Sequence, residues 1–263
     1  MKRAMLTDWE PQRALLLGDA HGNSRFMEYA ASIAATNGCE VIIQLGDFGY
    51  WEHTLGGREY LDRVERAARE CETPVLFIDG NHENHDMLHE YVESGRVGPD
   101  GLVWVRPNVA WVTRGTRWTW QGRIFAAVGG AASVDRAMRT PGWTWWPGEV
   151  LHRADVEHLL REPVDVVLSH DAPQIANMKS QRNFPAEDLE RAFESRAVLD
   201  LVIESCRPEL VAHGHWHIRH TTTVGGVRIE GFADDNSRFP NAAGILDLSS
   251  LDVLSMKEPL VLY

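Results

Sequence analysis

The 263-residue sequence predicts an α/β fold in which two mixed sheets pack face to face with helices outside. A βαβαβ alternation along residues 14–78 implies parallel strands joined by right-handed crossovers. From residue 103 the apolar runs become shorter and are separated by turns, which is typical of antiparallel hairpins. No Pro- or Ser-rich linker divides the chain, so we expect a single domain over residues 1–263.

Each element of this fold follows from a local pattern. Runs rich in leucine and β-branched residues predict strands at 14–17, 41–45, 75–78, 103–105, 110–112, 117–120, 124–128, 164–168, 210–212, 221–224, 227–229, 244–248 and 253–256. The predicted helices span residues 24–36, about 58–71, 156–160 and 189–206. Asn23 is the predicted N-cap of the first helix, and Gly225-Gly226 is a two-residue hairpin turn.

Residue types that commonly bind metals follow five of these strands. They occur as Gly18-Asp19-Ala20-His21-Gly22, Gly46-Asp47, Gly80-Asn81-His82-Glu83, Ser169-His170 and Gly214-His215-Trp216-His217. Residues two apart in extended chain, such as Asp19/His21 and His215/His217, can point the same way. Flanking glycines let the backbone turn sharply and let a metal or phosphate come close. Carboxylate and imidazole together favour Mn, Fe, Co, Ni or Zn over Mg or Ca.

The five motifs resemble, in the same order, those of the calcineurin-like metallophosphoesterases. That family's pattern is D-x-H, G-D, G-N-H-[DE], a lone His and G-H-x-H, and the matching motifs extend over residues 19–217 of this chain. The resemblance implies the metallophosphoesterase fold, a four-layer α-β-β-α sandwich of two mixed sheets. It also implies a metal-dependent hydrolase of phosphoric esters with two divalent ions, of which manganese is the first expectation.

The resemblance also implies roles for individual residues. One ion would be held by Asp19, His21, Asp47 and His217, and the other by Asp47 as a bridging ligand, Asn81, His170 and His215. A hydroxide between the ions would attack the phosphorus. The predicted catalytic residues are Asp47, Asn81 and His82, of which His82 would face the phosphate and protonate the leaving oxygen. Glu83 or Asp86 could hold the His82 ring.

The substrate is expected to be a small phosphodiester such as a nucleotide or cyclic nucleotide. Phosphoprotein phosphatases continue the second motif as G-D-x-x-D-R-G, whereas this chain has Gly46-Asp47-Phe48-Gly49-Tyr50-Trp51 and lacks the phosphate-clamping Arg. A net charge of −12 argues against long nucleic acid, whose binding needs clustered Lys and Arg. The alternatives are a phosphomonoesterase or phosphoprotein phosphatase and, less favoured, a nuclease or a metal-binding scaffold without turnover.

Residues 129–149, called here the Trp-rich segment, combine tryptophan, proline and glycine without a helical or alternating period. This composition predicts an ordered loop inserted at the active site. Aromatic rings stack on bases and Arg binds phosphate, so the predicted substrate-binding residues are Arg136, Arg139, Trp145 and Trp146. The alternative is that the tryptophans only pin the loop to the body of the protein.

The sequence predicts a cytoplasmic protein without membrane contact. The first apolar run, residues 14–17, is too short for a signal peptide, and no stretch approaches the length of a membrane span. The three cysteines, Cys39, Cys71 and Cys206, are odd in number and scattered, which is typical of a reducing compartment.

Overall fold

The structure is a computed structural model that describes residues 6–178, 184–254 and 256. The predicted single domain, residues 1–263, therefore includes residues outside these ranges. Within them the strands are β1 (Arg13–Leu17), β2 (Val41–Gln44), β3 (Val75–Phe77), β4 (Leu102–Arg106), β5 (Val109–Val112), β6 (Arg117–Trp120), β7 (Arg123–Val128), β8 (Val166–Ser169), β9 (Leu210–His213), β10 (His220–Val224), β11 (Val227–Gly231), β12 (Ala243–Asp247) and β13 (Val253–Leu254). The helices are α1 (Ser24–Thr36), α2 (Leu55–Glu70), α3 (His85–Glu93), α4 (Arg153–Val156), α5 (Ala186–Cys206) and α6 (Phe239–Ala242).

The strands form two mixed sheets. The first has seven strands in the order β13-β12-β1-β2-β3-β5-β4, and the second has six in the order β10-β11-β9-β8-β7-β6. As the βαβαβ alternation predicts, β1, β2 and β3 are parallel neighbours. The predicted hairpins are antiparallel pairs, namely β4–β5, β6–β7, β10–β11 and β12–β13.

The apolar side chains divide into three cores that separate four layers. Alternate residues of β1 show this, because Leu15 and Leu17 pack toward α1 and α2, whereas Leu16 packs between the two sheets with Phe125 of β7. A third core lies between the second sheet and α5, where Val167 meets Leu199. Burial on both faces explains why these strands are continuous apolar runs. The predicted α-β-β-α sandwich is therefore confirmed.

Three helix predictions need correction, and one of them is the helix predicted at 189–206, which begins at Ala186. The second helix begins at Leu55 rather than at about residue 58, and Thr54 caps it by accepting a hydrogen bond from Gly57 N–H. Glycine is required at Gly57, because a Cβ there would lie 1.9 Å from the Trp51 carbonyl oxygen. The predicted helix at 156–160 is wrong: α4 ends at Val156 and residues 159–161 form a separate 3₁₀ turn. Val156 and Leu159 are both buried, and a spacing of three residues suits a 3₁₀ turn.

The topology gathers the predicted motifs at one edge of the sandwich. Strands β1, β2 and β3 of the first sheet, and β8 and β9 of the second, each lead into one motif at their carboxyl ends. Carboxyl ends of parallel strands lie on the same side of a sheet, and ligands bind there in α/β proteins. Among the helices in the described ranges, none is both long and apolar enough to cross a lipid bilayer.

Candidate metal centre and active site

Two buried aspartates form the middle of the site. Asp19 follows β1 and Asp47 follows β2, and each carboxylate accepts a backbone hydrogen bond through its Oδ1 atom. The donors are the N–H of His215 for Asp19, at 2.9 Å, and the N–H of His82 for Asp47, at 2.8 Å. The bond to Asp19 joins the loops of the two sheets, and the bond to Asp47 joins two loops of the first sheet.

The first ligand group surrounds Asp19. Its Oδ2 atom lies 3.0 Å from His217 Nε2 and 4.0 Å from His21 Nε2. His21 Nε2 also lies 3.5 Å from Asp47 Oδ2, which links this group to the second aspartate. Asp19 Oδ2 is buried and has no hydrogen-bond partner within the described part of the chain. A buried carboxylate oxygen that makes no hydrogen bond and has imidazole nitrogens as its neighbours fits a cation.

The second ligand group surrounds the other oxygen of Asp47. Asp47 Oδ1 lies 3.4 Å from His170 Nε2, which in turn lies 3.1 Å from Asn81 Oδ1. The His215 ring is 4.8 Å from the His170 ring, measured between centroids, and Asp47, His170 and His215 offer ligand atoms within 4.8 Å of one another. The structure thus brings together all seven predicted metal ligands, with Asp47 between the two groups.

The electrostatics of the site also fit cations. Burial alone would lower the pKa of His21 and of His170, but the nearby Asp47 and Asp19 carboxylates outweigh burial and raise each pKa to about 10. The carboxylate charge thus attracts protons onto imidazoles that face it. Carboxylate and neutral imidazole suit divalent transition metals, and binding of such a metal releases these protons.

Four of the ligands adopt an unusual backbone conformation. The φ angles of His21, Asp47, His215 and His217 are +45°, +54°, +66° and +54°. This left-handed region costs a non-glycine residue about 1–3 kcal/mol and persists only where the surrounding structure enforces it. Next to them Gly80 is required, because a Cβ there would lie 2.2 Å from Asp47 Oδ1. Part of the backbone strain of the chain therefore lies where the predicted ligands converge, as is common at functional sites.

Two further carboxylates, which the sequence analysis did not identify, hold the ligand imidazoles from behind. Asp235 Oδ1 lies 3.1 Å from His21 Nδ1, and its Oδ2 accepts a hydrogen bond from the Asn23 side chain at 2.9 Å. Asp234 Oδ2 lies 3.4 Å from His217 Nδ1. Such contacts fix the ring orientation of a metal-binding histidine and make its other ring nitrogen a stronger electron-pair donor to the metal. The sequence feature that could have indicated these two residues is their position as an acidic pair shortly after β11.

A buried hydrogen-bond chain fixes the Asn81 amide. Asn81 Nδ2 donates to Ser133 Oγ at 3.0 Å, and the Ser133 hydroxyl donates to Glu149 Oε2 at 2.7 Å. The backbone N–H of Ser133 donates to Glu149 Oε1 at 2.8 Å. With Nδ2 engaged in this way, Asn81 turns its Oδ1 atom toward His170. Ser133 and Glu149 lie in the Trp-rich segment, where the sequence analysis selected only Arg and Trp side chains.

His82 lies at the mouth of the site beside Arg139. The two outer guanidinium nitrogens are 2.6 and 2.7 Å from the His82 ring nitrogens, and Asp135 binds Arg139 through both carboxylate oxygens at 2.6 and 2.8 Å. Burial lowers the pKa of His82 and Asp47 raises it, while Arg139 lowers it further, to about 4. The His82 ring is therefore neutral at pH 7 when no substrate phosphate is near.

The prediction that Glu83 or Asp86 holds the His82 ring is wrong. Glu83 is fully buried, and its carboxylate accepts hydrogen bonds from the backbone N–H groups of Phe48, Gly49 and Tyr50 at 2.7 to 3.0 Å. Burial raises the pKa of Glu83 to about 7, with a further contribution from Asp47. Asp86 is exposed in the first turn of α3. Glu83 therefore fixes the loop that follows Asp47.

Of the four predicted substrate-binding residues, Arg139 reaches the site and the other three do not. Arg136 forms ion pairs with two carboxylates of α5, at 2.6 and 3.0 Å. The Trp145 ring packs against two arginines at 5.9 and 5.7 Å from its centroid. Trp146 is 1% exposed. The prediction for Trp146 is contradicted by its burial, whereas Arg136 and Trp145 lie outside the residues that line the cleft described next, and their substrate contacts stay predictions.

A cleft of about 460 Å³ lies next to His82 instead. It is lined by Trp51, His53, Thr54, His82, Arg139, Trp143 and Thr144. Trp143 belongs to the Trp-rich segment, and Trp51 follows the Gly46-Asp47 motif by four residues. The Trp-rich segment thus contributes Trp143, rather than Trp145 or Trp146, to the lining of this cleft. Proximity to the second motif is the sequence feature that could have indicated Trp51.

The comparisons with known proteins agree with this architecture. The lariat debranching enzyme of Schizosaccharomyces pombe is 24% identical over 166 residues, which cover 57% of this chain and 34% of that protein. The chain thus spans about a third of that relative's length. The crystal structure of TT1561 from Thermus thermophilus superposes with a TM-score of 0.58 at 15% identity, covering 94% of this chain and 99% of that one. This likeness shows a shared fold.

The model of the calcineurin-like phosphoesterase family matches residues 12–219, a segment that contains every one of the seven converging ligands. More than half of the chain is covered by this match. The chain therefore belongs to the calcineurin-like phosphoesterase family, which implies a hydrolase acting on phosphoesters.

Proposed function

We propose that the chain is a phosphodiesterase that hydrolyses small phosphodiesters, such as nucleotides or cyclic nucleotides, with two divalent metal ions. The observation that carries this proposal is the pair of ligand groups that share Asp47 and lie beside His82. Family membership accounts for phosphoester hydrolysis. The charges around the cleft favour a diester as the substrate.

The donors divide between two ions. One ion would be held by Asp19, His21, Asp47 and His217, and the other by Asp47, Asn81, His170 and His215. When bound, two such ions polarise the phosphate oxygens and lower the pKa of water enough to supply a nucleophile near neutral pH. Manganese is the first candidate, because mixed carboxylate, amide and imidazole donors suit it.

His82 is the group that would protonate the leaving oxygen. Its Nε2 atom lies 3.8 Å from Asp47 Oδ2, so the ring stands at the edge of the candidate metal centre, and it also lines the cleft. A bound phosphate anion favours the protonated ring through the same Coulombic effect that Asp47 exerts. Arg139 lies against His82 and would contact a phosphate oxygen from the cleft side.

The charges near the cleft favour a diester over a monoester. Arg139 is the cation that lines the cleft within the described residues, and Asp135 already pairs with it. Residues 46–51 contribute no arginine. A phosphomonoester dianion carries one more negative charge than a diester anion and needs more cationic partners. The monoanionic diester therefore matches this site better.

The expected partners are small substrates in the cytoplasm. A net charge of −12 disfavours a long nucleic-acid duplex, whose binding requires a basic surface. All three cysteines carry free thiols, and Cys39 and Cys206 are buried. Free thiols agree with a reducing compartment.

The test compares a generic aryl phosphodiester with the matching monoester, using protein loaded with Mn²⁺. We expect kcat/KM to be at least about tenfold higher for the diester, a difference of about 1.4 kcal/mol, and we expect Asp47→Ala to lose both activity and metal. His82→Ala should keep its metals and lower kcat by about 10² to 10⁴, with a smaller loss for good leaving groups. Faster turnover of the monoester would contradict the diester assignment, and an equal defect for all leaving groups would contradict the role of His82.

A further inference from the structure

We propose that the cleft between Trp51 and Trp143 binds the nucleobase of the substrate by stacking, without reading which base it is. This inference rests on the proposed function, because it names the group attached to the phosphate that the metal centre would hold. The cleft volume of about 460 Å³ lies within the range of small-molecule sites. His82 and Arg139 line the same cleft as the two tryptophans, so the substituent of a phosphate held at His82 would lie next to them.

Trp51 is the fixed wall of the cleft. Its indole N–H donates to the His82 carbonyl oxygen at 2.6 Å, which ties the ring to the residue beside the phosphate position. The other edge of the ring lies against Gly22, where an added Cβ would be 2.8 Å from the indole. Anchored at both edges, the half-buried ring can receive a flat group without losing side-chain freedom.

Trp143 is the exposed wall. Its side chain is 62% exposed although it is large and apolar, and its ring lies 5.7 Å from the His53 ring, measured between centroids. Neighbouring Trp145 and Trp146 are engaged with the protein body, whereas Trp143 keeps a ring face toward solvent. A large aromatic ring held at the mouth of a cleft is suited to cover a second aromatic ring.

The polar groups of the cleft are largely occupied. Thr54 Oγ1 donates to the Trp51 carbonyl oxygen and accepts from Gly57 N–H, both at 2.9 Å. Thr144 Oγ1 accepts from a backbone N–H at 2.9 Å, and His53 Nδ1 accepts from the Asn84 side chain at 2.9 Å. The cleft therefore offers ring faces and methyl groups more than hydrogen bonds. Stacking tolerates every base, because every base has a π-face.

The test measures binding of 5′-AMP and ribose 5-phosphate to the Mn²⁺-loaded protein by isothermal titration calorimetry. The two probes carry the same phosphate and sugar and differ by the base. Stacking is worth about 1–3 kcal/mol per base, so AMP should bind about 5- to 100-fold more tightly. Trp143→Ala should reduce this ratio at least about fivefold, and Trp143→Phe should largely retain it. AMP, GMP, CMP and UMP should differ among themselves by less than AMP differs from ribose 5-phosphate.

Phe193→Ala is the matched control, since Phe193 is also 62% exposed and lies on α5 outside the cleft lining. It should leave the ratio unchanged. Equal binding of both probes to the wild type, a ratio unaffected by Trp143→Ala in a folded variant, or strong selection of one base would overturn the inference. Binding is measured without turnover, so an AMP preference without hydrolysis of any diester would refute the proposed function and leave the stacking cleft intact.

Discussion

The buried chain from Asn81 through Ser133 to Glu149 makes Ser133→Ala an informative substitution. Ser133 is fully buried, and its hydroxyl accepts from Asn81 and donates to Glu149. The variant loses both hydrogen bonds and leaves one oxygen of a buried carboxylate without its hydroxyl partner. A hydrogen bond to a charged group contributes about 1.5–3 kcal/mol and a neutral one about 1 kcal/mol, so we expect the free energy of unfolding to fall by about 2–4 kcal/mol.

The same substitution should weaken metal binding. Without Ser133, the Asn81 amide is free to turn its Nδ2 atom toward His170, where a cation requires the oxygen. Loss of a partner that orients a metal ligand lowers metal affinity by about 10- to 100-fold. The loss should affect one of the two ions, because Asn81 belongs to the group of His170 and not to that of Asp19.

The assays are urea unfolding of the metal-free protein and calorimetric titration with Mn²⁺. Ser195→Ala is the control, because Ser195 is also a buried serine and its Oγ has no hydrogen-bond partner within the described ranges. It should leave the Mn²⁺ affinity unchanged and should not lower the free energy of unfolding, because it removes that buried hydroxyl and places alanine inside helix α5. If Ser133→Ala retained both ions with wild-type affinity, Ser133 would not position Asn81.

Two other outcomes are expected. Asp235→Asn should lower the affinity for one ion by about 10- to 100-fold, measured by competition with a chelator, because Asp235 holds the His21 ring; unchanged affinity would contradict this role. Burial lowers the pKa of His85 to about 3; the charge of Arg114 adds to this effect and that of Asp79 opposes it. The neutral ring therefore stabilises the fold above pH 6.5. This contribution is lost as the pH falls toward 3. We therefore expect the free energy of unfolding of the wild type, measured by urea unfolding in the presence of a chelator, to fall by about 2 kcal/mol more than that of His85→Gln between pH 7 and 5. If the free energies of both proteins changed equally with pH, His85 would not change its protonation on unfolding.

Local patterns predicted most of the fold because they act over a few residues. The first helix has the predicted bounds, since Asn23 caps it through the Phe26 N–H and its apolar face is continuous. By contrast, the pairing of β12 beside β1 joins Arg13 to Asp247 and depends on packing between distant segments. The pattern of hydrophobic residues along the sequence identifies a strand but does not identify which strand lies next to it in the sheet.

The ligands were predictable and the residues around them were less so, for a physical reason. Each ligand follows a strand end, where the backbone path is set by the sheet. Glu83 is adjacent to His82 in sequence but turns into the interior, because residues 81–83 form a bend to which no periodicity rule applies and because Glu83 binds three backbone N–H groups there. The Trp-rich segment has no regular period, so no alternation rule could separate buried Trp146 from exposed Trp143.

The Trp-rich segment acts on both halves of the site. Through Ser133 it orients the amide of the ligand Asn81, and through Arg139 it contacts the ring of His82. Further along it supplies Trp143, the exposed wall of the cleft. Under the proposed function, one continuous stretch of chain would therefore link metal position, phosphate contact and the group beyond the phosphate. Substitutions of Trp143 can change which diester binds without touching a ligand, whereas substitutions of Ser133 act on the metal centre itself.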